Sequence, residues 1–135
     1  MDSLDRLRHL TSKLAADPYA SVEEMFQTAT SLLCIAGGDG FFKKVSPSWT
    51  LVTGWTEKEL TAQPWIDFIH PADVFKTERA HADMLNGYPA ANFVNRYRCK
   101  DGSYKTLLWN TPPVSPGGVT YASAVDVTEL AKIFS

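Results

Sequence analysis

Five side chains in this 135-residue chain can do acid–base or nucleophilic chemistry near neutral pH: His9, His70, His81, Cys34 and Cys99. The two cysteines have no CxxC spacing, which argues against a zinc site and against a disulfide framework. Both fall in expected strands, where a free thiol is most often a small buried hydrophobe. His81, Asp67 and Glu78 could be drawn together as an acid–base set, but no nucleophile motif or spacing accompanies them, so the domain is expected to be non-catalytic. His9 falls on an expected surface helix. His70 precedes Pro71 in a turn, where local hydrogen bonding is its expected role.

The elements that must position these groups are organised around residues 93–128. Phe93, Asn95, Tyr97 and Cys99 alternate with Val94, Arg96, Arg98 and Lys100, the period of two that marks a half-buried strand. Asp101-Gly102 supplies a hairpin turn, because both residues tolerate left-handed backbone, and Pro116-Gly117-Gly118 marks a second. A three-residue Asp101-Gly102-Ser103 loop would set Tyr97 opposite Leu107. It would gather Phe93, Tyr97, Leu107 and Trp109 on one face, and a slip of one residue would exchange the faces. Upstream, residues 32–37 and 41–46 read as another hairpin, turning at Asp39-Gly40. Its GGDG string invites comparison with the GGDEF loop of cyclic-di-GMP synthases. The Glu-Phe is missing, though, and the chain has no room for such a domain, so the string reads as a turn.

Helices fill the remainder. Residues 3–16 form an amphipathic helix with Ser3 as N-cap and Leu4, Leu7, Leu10 and Leu14 as one stripe. Ser21 and Glu24 make a capping box, as do Thr56 and Glu59. Pro47 opens a short helix that Gly54 ends. Residues 65–73 make a helical turn, and a longer helix follows Pro71 with Val74, Thr77, Glu78, His81, Met84 and Leu85 on its inward stripe. The expected fold is α+β: a five-stranded antiparallel sheet with short helices on one face, preceded by N-terminal helices. Three segments follow: a helical cap or dimerisation segment at 1–30, the domain proper at 31–128, and the start of an output helix at 129–135.

Composition narrows the function classes. A hydrophobic content of 44% with 21% charged residues is that of an ordinary soluble domain, and a net charge of −2 leaves no basic footprint for nucleic acid. No apolar run approaches a membrane span and the start lacks a signal-peptide core, so the expected compartment is the cytoplasm, without direct membrane contact.

Four local patterns resemble the PAS domains of bacterial sensor histidine kinases and cyclic-di-GMP signalling proteins. They are LLCIAGGDGFFKKVSPSW with VTGW, TEKELTAQPWIDFIHPAD, NRYRCKDGSYKTLLW, and Asp126-Val127-Thr128-Glu129, which is similar to the D-I-T-E junction of the family. Together they span about residues 31–130. The resemblance implies a sensory and dimerisation module of a two-component or related system, with a small ligand, or none, between the sheet and the central helices. One wall would comprise Cys34, Phe93, Asn95, Tyr97, Leu107, Trp109, Ala122 and Ala124, and the facing wall Phe68, His81 and Met84. These side chains could equally fill the core by packing alone.

The resemblance also bears on cofactors. LOV-type flavin photochemistry is excluded, because residues 64–69 contain no cysteine where that subfamily carries its reactive one. Haem is the alternative, with His81 as the iron ligand, but nothing else supports it and no cofactor is the leading expectation. The output is expected at Asp126 and Thr128, with Thr128 capping the following helix, so that strand movement turns a helix leading to a C-terminal effector: a histidine kinase, or a diguanylate cyclase or phosphodiesterase. A homodimer is expected through the N-terminal leucine stripe and the outer sheet residues Leu108, Tyr121 and Val125. A ligand-free interaction scaffold is the remaining alternative.

Overall fold

A computed structural model describes residues 2–6, 8 and 26–134. Five antiparallel strands form one sheet in the order β2-β1-β5-β4-β3. They are β1 (Leu32–Gly37), β2 (Phe42–Val45), β3 (Ala90–Arg98), β4 (Tyr104–Thr111) and β5 (Val119–Asp126). Between β2 and β3 come α1 (Ser48–Thr53), α2 (Glu57–Ala62), two 3-10 turns (Trp65–Phe68 and Pro71–Asp73) and α3 (Val74–Leu85), and α4 (Thr128–Ile133) follows β5. The fold is α+β, with the helices between β2 and β3 gathered on the sheet's inner face.

Local chemistry accounts for the boundaries. Thr56 Oγ1 accepts from the Glu59 N–H while Glu59 Oε1 accepts from the Thr56 N–H, the reciprocal capping box expected there. Gly54 ends α1 in the left-handed region at φ 83°, which favours glycine. Pro47 stands at the N-cap of α1, one residue earlier than its expected place inside the helix. At the N-terminus Asp2, not Ser3, caps the helical turn, its carboxylate accepting from the Asp5 N–H at 2.8 Å. Leu7, Leu10 and Leu14, the Ser21–Glu24 box and His9 lie outside the described residues. Leu4 is exposed.

The β3–β4 hairpin corrects the expected register. Tyr97 pairs with Lys105 and Arg98 with Tyr104, so Tyr97 does not face Leu107 across the ladder. The loop is Lys100-Asp101-Gly102, closed by the Cys99 N–H on the Ser103 carbonyl at 2.7 Å. The Asp101 carboxylate accepts from both the backbone N–H and the hydroxyl of Ser103, which draws Ser103 out of the loop. Because the displacement is two residues, the faces survive: Asn95, Tyr97, Leu107 and Trp109 are all buried on the inner side.

The core is unusually aromatic. Trp49 is fully buried, edge-on to Tyr97 and in contact with Phe42 and Trp109, while Tyr97 stacks on Phe68 with planes 7° apart. Trp49 donates its indole N–H to the Leu33 carbonyl and Trp55 donates to that of Arg98, so the two indoles tie α1 and its exit to the sheet.

Candidate functional site: a small cavity between α3 and the sheet

Spacing on α3 sets Thr77, Ala80, His81 and Met84 on one side, facing the sheet. The Glu78 and Leu85 side chains expected on that stripe are exposed, and Ala80 takes the inward place. Opposite stand Phe93 and Asn95 of β3 and Trp109 and Thr111 of β4. Phe42, Trp65 and four alanines (Ala36, Ala80, Ala90 and Ala122) complete the wall around a cavity of about 60 Å³. The space exists because methyl groups stand where larger side chains would meet.

A chain of hydrogen bonds runs along one side. Trp109 Nε1–H donates to Asn95 Oδ1 at 2.8 Å, Asn95 Nδ2 donates to Thr77 Oγ1 at 3.3 Å, and Thr77 donates to the Asp73 carbonyl at 2.8 Å. The Asp73 carboxylate accepts from Arg96 Nε and Nη2, both at 2.9 Å, and from the Arg96 backbone N–H at 2.8 Å. The Arg96 guanidinium holds the Asp73 carboxyl down at about 2. On the other side His81 Nε2 lies 3.0 Å from the Gly38 carbonyl, which can only accept, so Nε2 carries the proton there. The imidazole also meets the Trp65 ring edge-on at 5.0 Å.

Of the eleven residues expected at a pocket, His81, Met84, Phe93, Asn95, Trp109 and Ala122 line this cavity. Cys34, Phe68, Tyr97, Leu107 and Ala124 are buried in the adjoining packed core instead. Burial pushes both cysteine thiols up, so neither is a ready thiolate. Haem does not fit: the His81 Nε2–H is committed to Gly38, and about 60 Å³ is far short of a macrocycle. Among the described residues no three His, Cys, Asp or Glu side chains converge as they would around a metal ion. His70 holds its own turn, Nδ1 accepting from the Ala72 N–H at 3.0 Å.

A larger depression, about 480 Å³, lies between the end of α1 and the β3–β4 turn. It is an open groove edged by Lys100, Asp101 and Lys105, more polar than the apolar lining of the smaller cavity.

The C-terminal junction is bonded to β4. The Val127 N–H donates to the Thr106 carbonyl at 2.8 Å and the Thr106 N–H donates to Thr128 Oγ1 at 2.9 Å. The Thr128 hydroxyl in turn donates to Asp126 Oδ1. Thr128 is therefore not the N-cap of α4; Val127 occupies that position, and the Thr128 oxygen is engaged by its neighbours. On the outer sheet face Tyr121 and Val125 are exposed, with Leu108 half-buried between Val125 and Val94 in adjacent strands.

Comparison with known proteins gives one consistent picture. A family model described as PAS fold matches residues 42–123. No curated protein matches the chain in sequence. Among solved structures it is similar to a domain of a sensory box sensor histidine kinase/response regulator from Geobacter sulfurreducens, 20% identical, TM-score 0.70, covering 78% of this chain and 91% of that one. It is also similar to Drosophila melanogaster Cycle PAS-B with bound ethylene glycol (22%, TM-score 0.64, covering 70% and 98%). The RpfR quorum-sensing receptor PAS domain of Cronobacter turicensis in complex with BDSF is a third (19%, TM-score 0.61, covering 76% and 98%). No helix among the described residues is long and apolar enough to cross a membrane.

Proposed function

The chain belongs to the PAS-fold family, and on that premise we propose that it is a non-catalytic sensory and dimerisation module of a bacterial signalling protein, working in the cytoplasm. It takes a small molecule between α3 and the sheet and passes the change through Asp126-Val127-Thr128 to a C-terminal effector, a histidine kinase or an enzyme of cyclic-di-GMP turnover. The observation that carries the reading is the apolar cavity itself, open on one side, with Asn95, Thr77 and His81 converging on it. Neighbours of the same fold support it, since wild-type Cycle PAS-B holds ethylene glycol and a tryptophan-to-alanine variant of it holds glycerol, and the RpfR domain holds BDSF or C12:0.

The path outward is short. Trp109 lines the cavity and lies on the same strand as Thr106, which bonds both Val127 and Thr128. A ligand that moves the Trp109 indole therefore acts on a strand already tied to α4. Mass spectrometry of the denatured protein after native purification tests the reading: a co-purified molecule of small size is the expected outcome. A ligand-free scaffold is the competing reading, favoured by the density of aromatic packing around Trp49 and Tyr97. It gains if no molecule co-purifies and none added later perturbs the cavity.

A further inference from the structure

We infer that the cavity takes up an uncharged and mainly apolar group of roughly four to six non-hydrogen atoms, as in a short ketone or alcohol, and rejects carboxylates and ammonium ions. The inference rests on the ligand-pocket reading above and adds the class of ligand. Size is the first argument. By the measure in which one water needs about 10–15 Å³, a cavity of about 60 Å³, open on one side, takes in only a few atoms of whatever enters it.

Charge is the second argument. No Asp, Glu, Lys or Arg lines the cavity. Asp73 and Arg96 are joined by two side-chain hydrogen bonds, Lys76 Nζ, 5.7 Å from the Phe93 ring, lies 3.9 Å from the same carboxylate, and Thr77 meets Asp73 only at its backbone carbonyl. A carboxylate or ammonium entering the cavity would be desolvated without a counter-ion, which strongly disfavours the charged form.

The hydrogen-bond inventory is the third. The Trp109 N–H is taken by Asn95, the Thr77 hydrogen by Asp73, and the His81 Nε2–H by Gly38. Asn95 spends one amide hydrogen on Thr77 and keeps a second, because a primary amide has two. Asn95 is buried, so this remaining donor, with the neighbouring Thr111 hydroxyl, suits one acceptor oxygen on an otherwise apolar molecule.

Three probes of matched size separate the possibilities: 2-butanone, propanoate and butylammonium, titrated at neutral pH into the intact chain labelled with nitrogen-15. The readouts are the Asn95 side-chain amide and the Trp109 indole N–H resonances, whose groups are bonded to each other. The expected result is saturable movement of both signals by 2-butanone, with a Kd on the order of millimolar, and at least roughly tenfold weaker binding of the two ions. Ala80→Leu, which fills the cavity from α3, should abolish the movement; Ala90→Val serves the same purpose if the first variant loses its dispersed spectrum. Propanoate or butylammonium binding as tightly as the ketone would overturn the charge inference and leave the ligand pocket standing. No saturable response to any of the three would overturn both.

Discussion

Two buried side chains carry consequences that can be measured one residue at a time. The Tyr97 hydroxyl has no hydrogen-bond partner, although its ring is held between Phe68 and Trp49, and burial pushes its phenol far above the usual range. An unsatisfied buried hydroxyl costs about 1–3 kcal/mol, so Tyr97→Phe should leave stability unchanged or raise it by about 1 kcal/mol in chemical denaturation. A clear loss would mean that a buried water bonds the phenol. Asp73 behaves in the opposite sense. The Arg96 guanidinium lowers its carboxyl from 3.8 to about 2, so below the unfolded value the unfolded chain takes up the proton more readily. The resulting stability is present above pH 4 and is lost as the pH falls towards 2. It amounts to about 2 kcal/mol at most, since Arg96 is partly exposed. Asp73→Asn should be less stable at pH 7 and lack that acid-dependent step. A step of the same size in the variant would assign it to another carboxylate.

At the scale of elements, the junction between β5 and α4 depends on one hydroxyl with two partners, the Thr106 N–H and Asp126. Thr128→Val should cost about 1 kcal/mol and speed hydrogen exchange selectively at the Thr106 and Val127 amides. Uniform acceleration across the sheet would instead report global destabilisation. The same scale explains what was legible in the sequence. The Thr56–Glu59 box, Gly54 and the alternation of β3 and β4 follow local rules, and all appear where local chemistry dictates. The hairpin register did not follow from turn residues alone, because the Asp101 carboxylate competes for Ser103. The cavity wall was half hidden for a similar reason. An irregularity between Ile35 and Ala36 lets Phe42 and Val45, three apart, both face inward, and an alternating pattern cannot foresee a bulge. Alanines were equally hard to foresee, since what they supply is missing volume.

For the whole molecule, the outer sheet face is where Val94, Tyr121 and Val125 are exposed side by side with the half-buried Leu108. Val94, Leu108 and Val125 form a row across three strands, and Tyr121 lies beside Ile35 on the next pair. If this face joins two copies, the parent should sediment as a dimer and the double variant Tyr121→Glu/Val125→Glu as a monomer at the same concentration; a dimer unchanged by the variant would move the interface elsewhere, and a monomeric parent would rule this interface out. The four cavity alanines lead to a different kind of consequence. A void of about 60 Å³ costs on the order of 1 kcal/mol in lost packing. Laboratory evolution for heat resistance alone would therefore favour larger residues at Ala36, Ala80, Ala90 or Ala122. If the cavity is where the ligand sits, the survivors would be sturdier proteins that had gone deaf, and the sites where they converge would trace its outline.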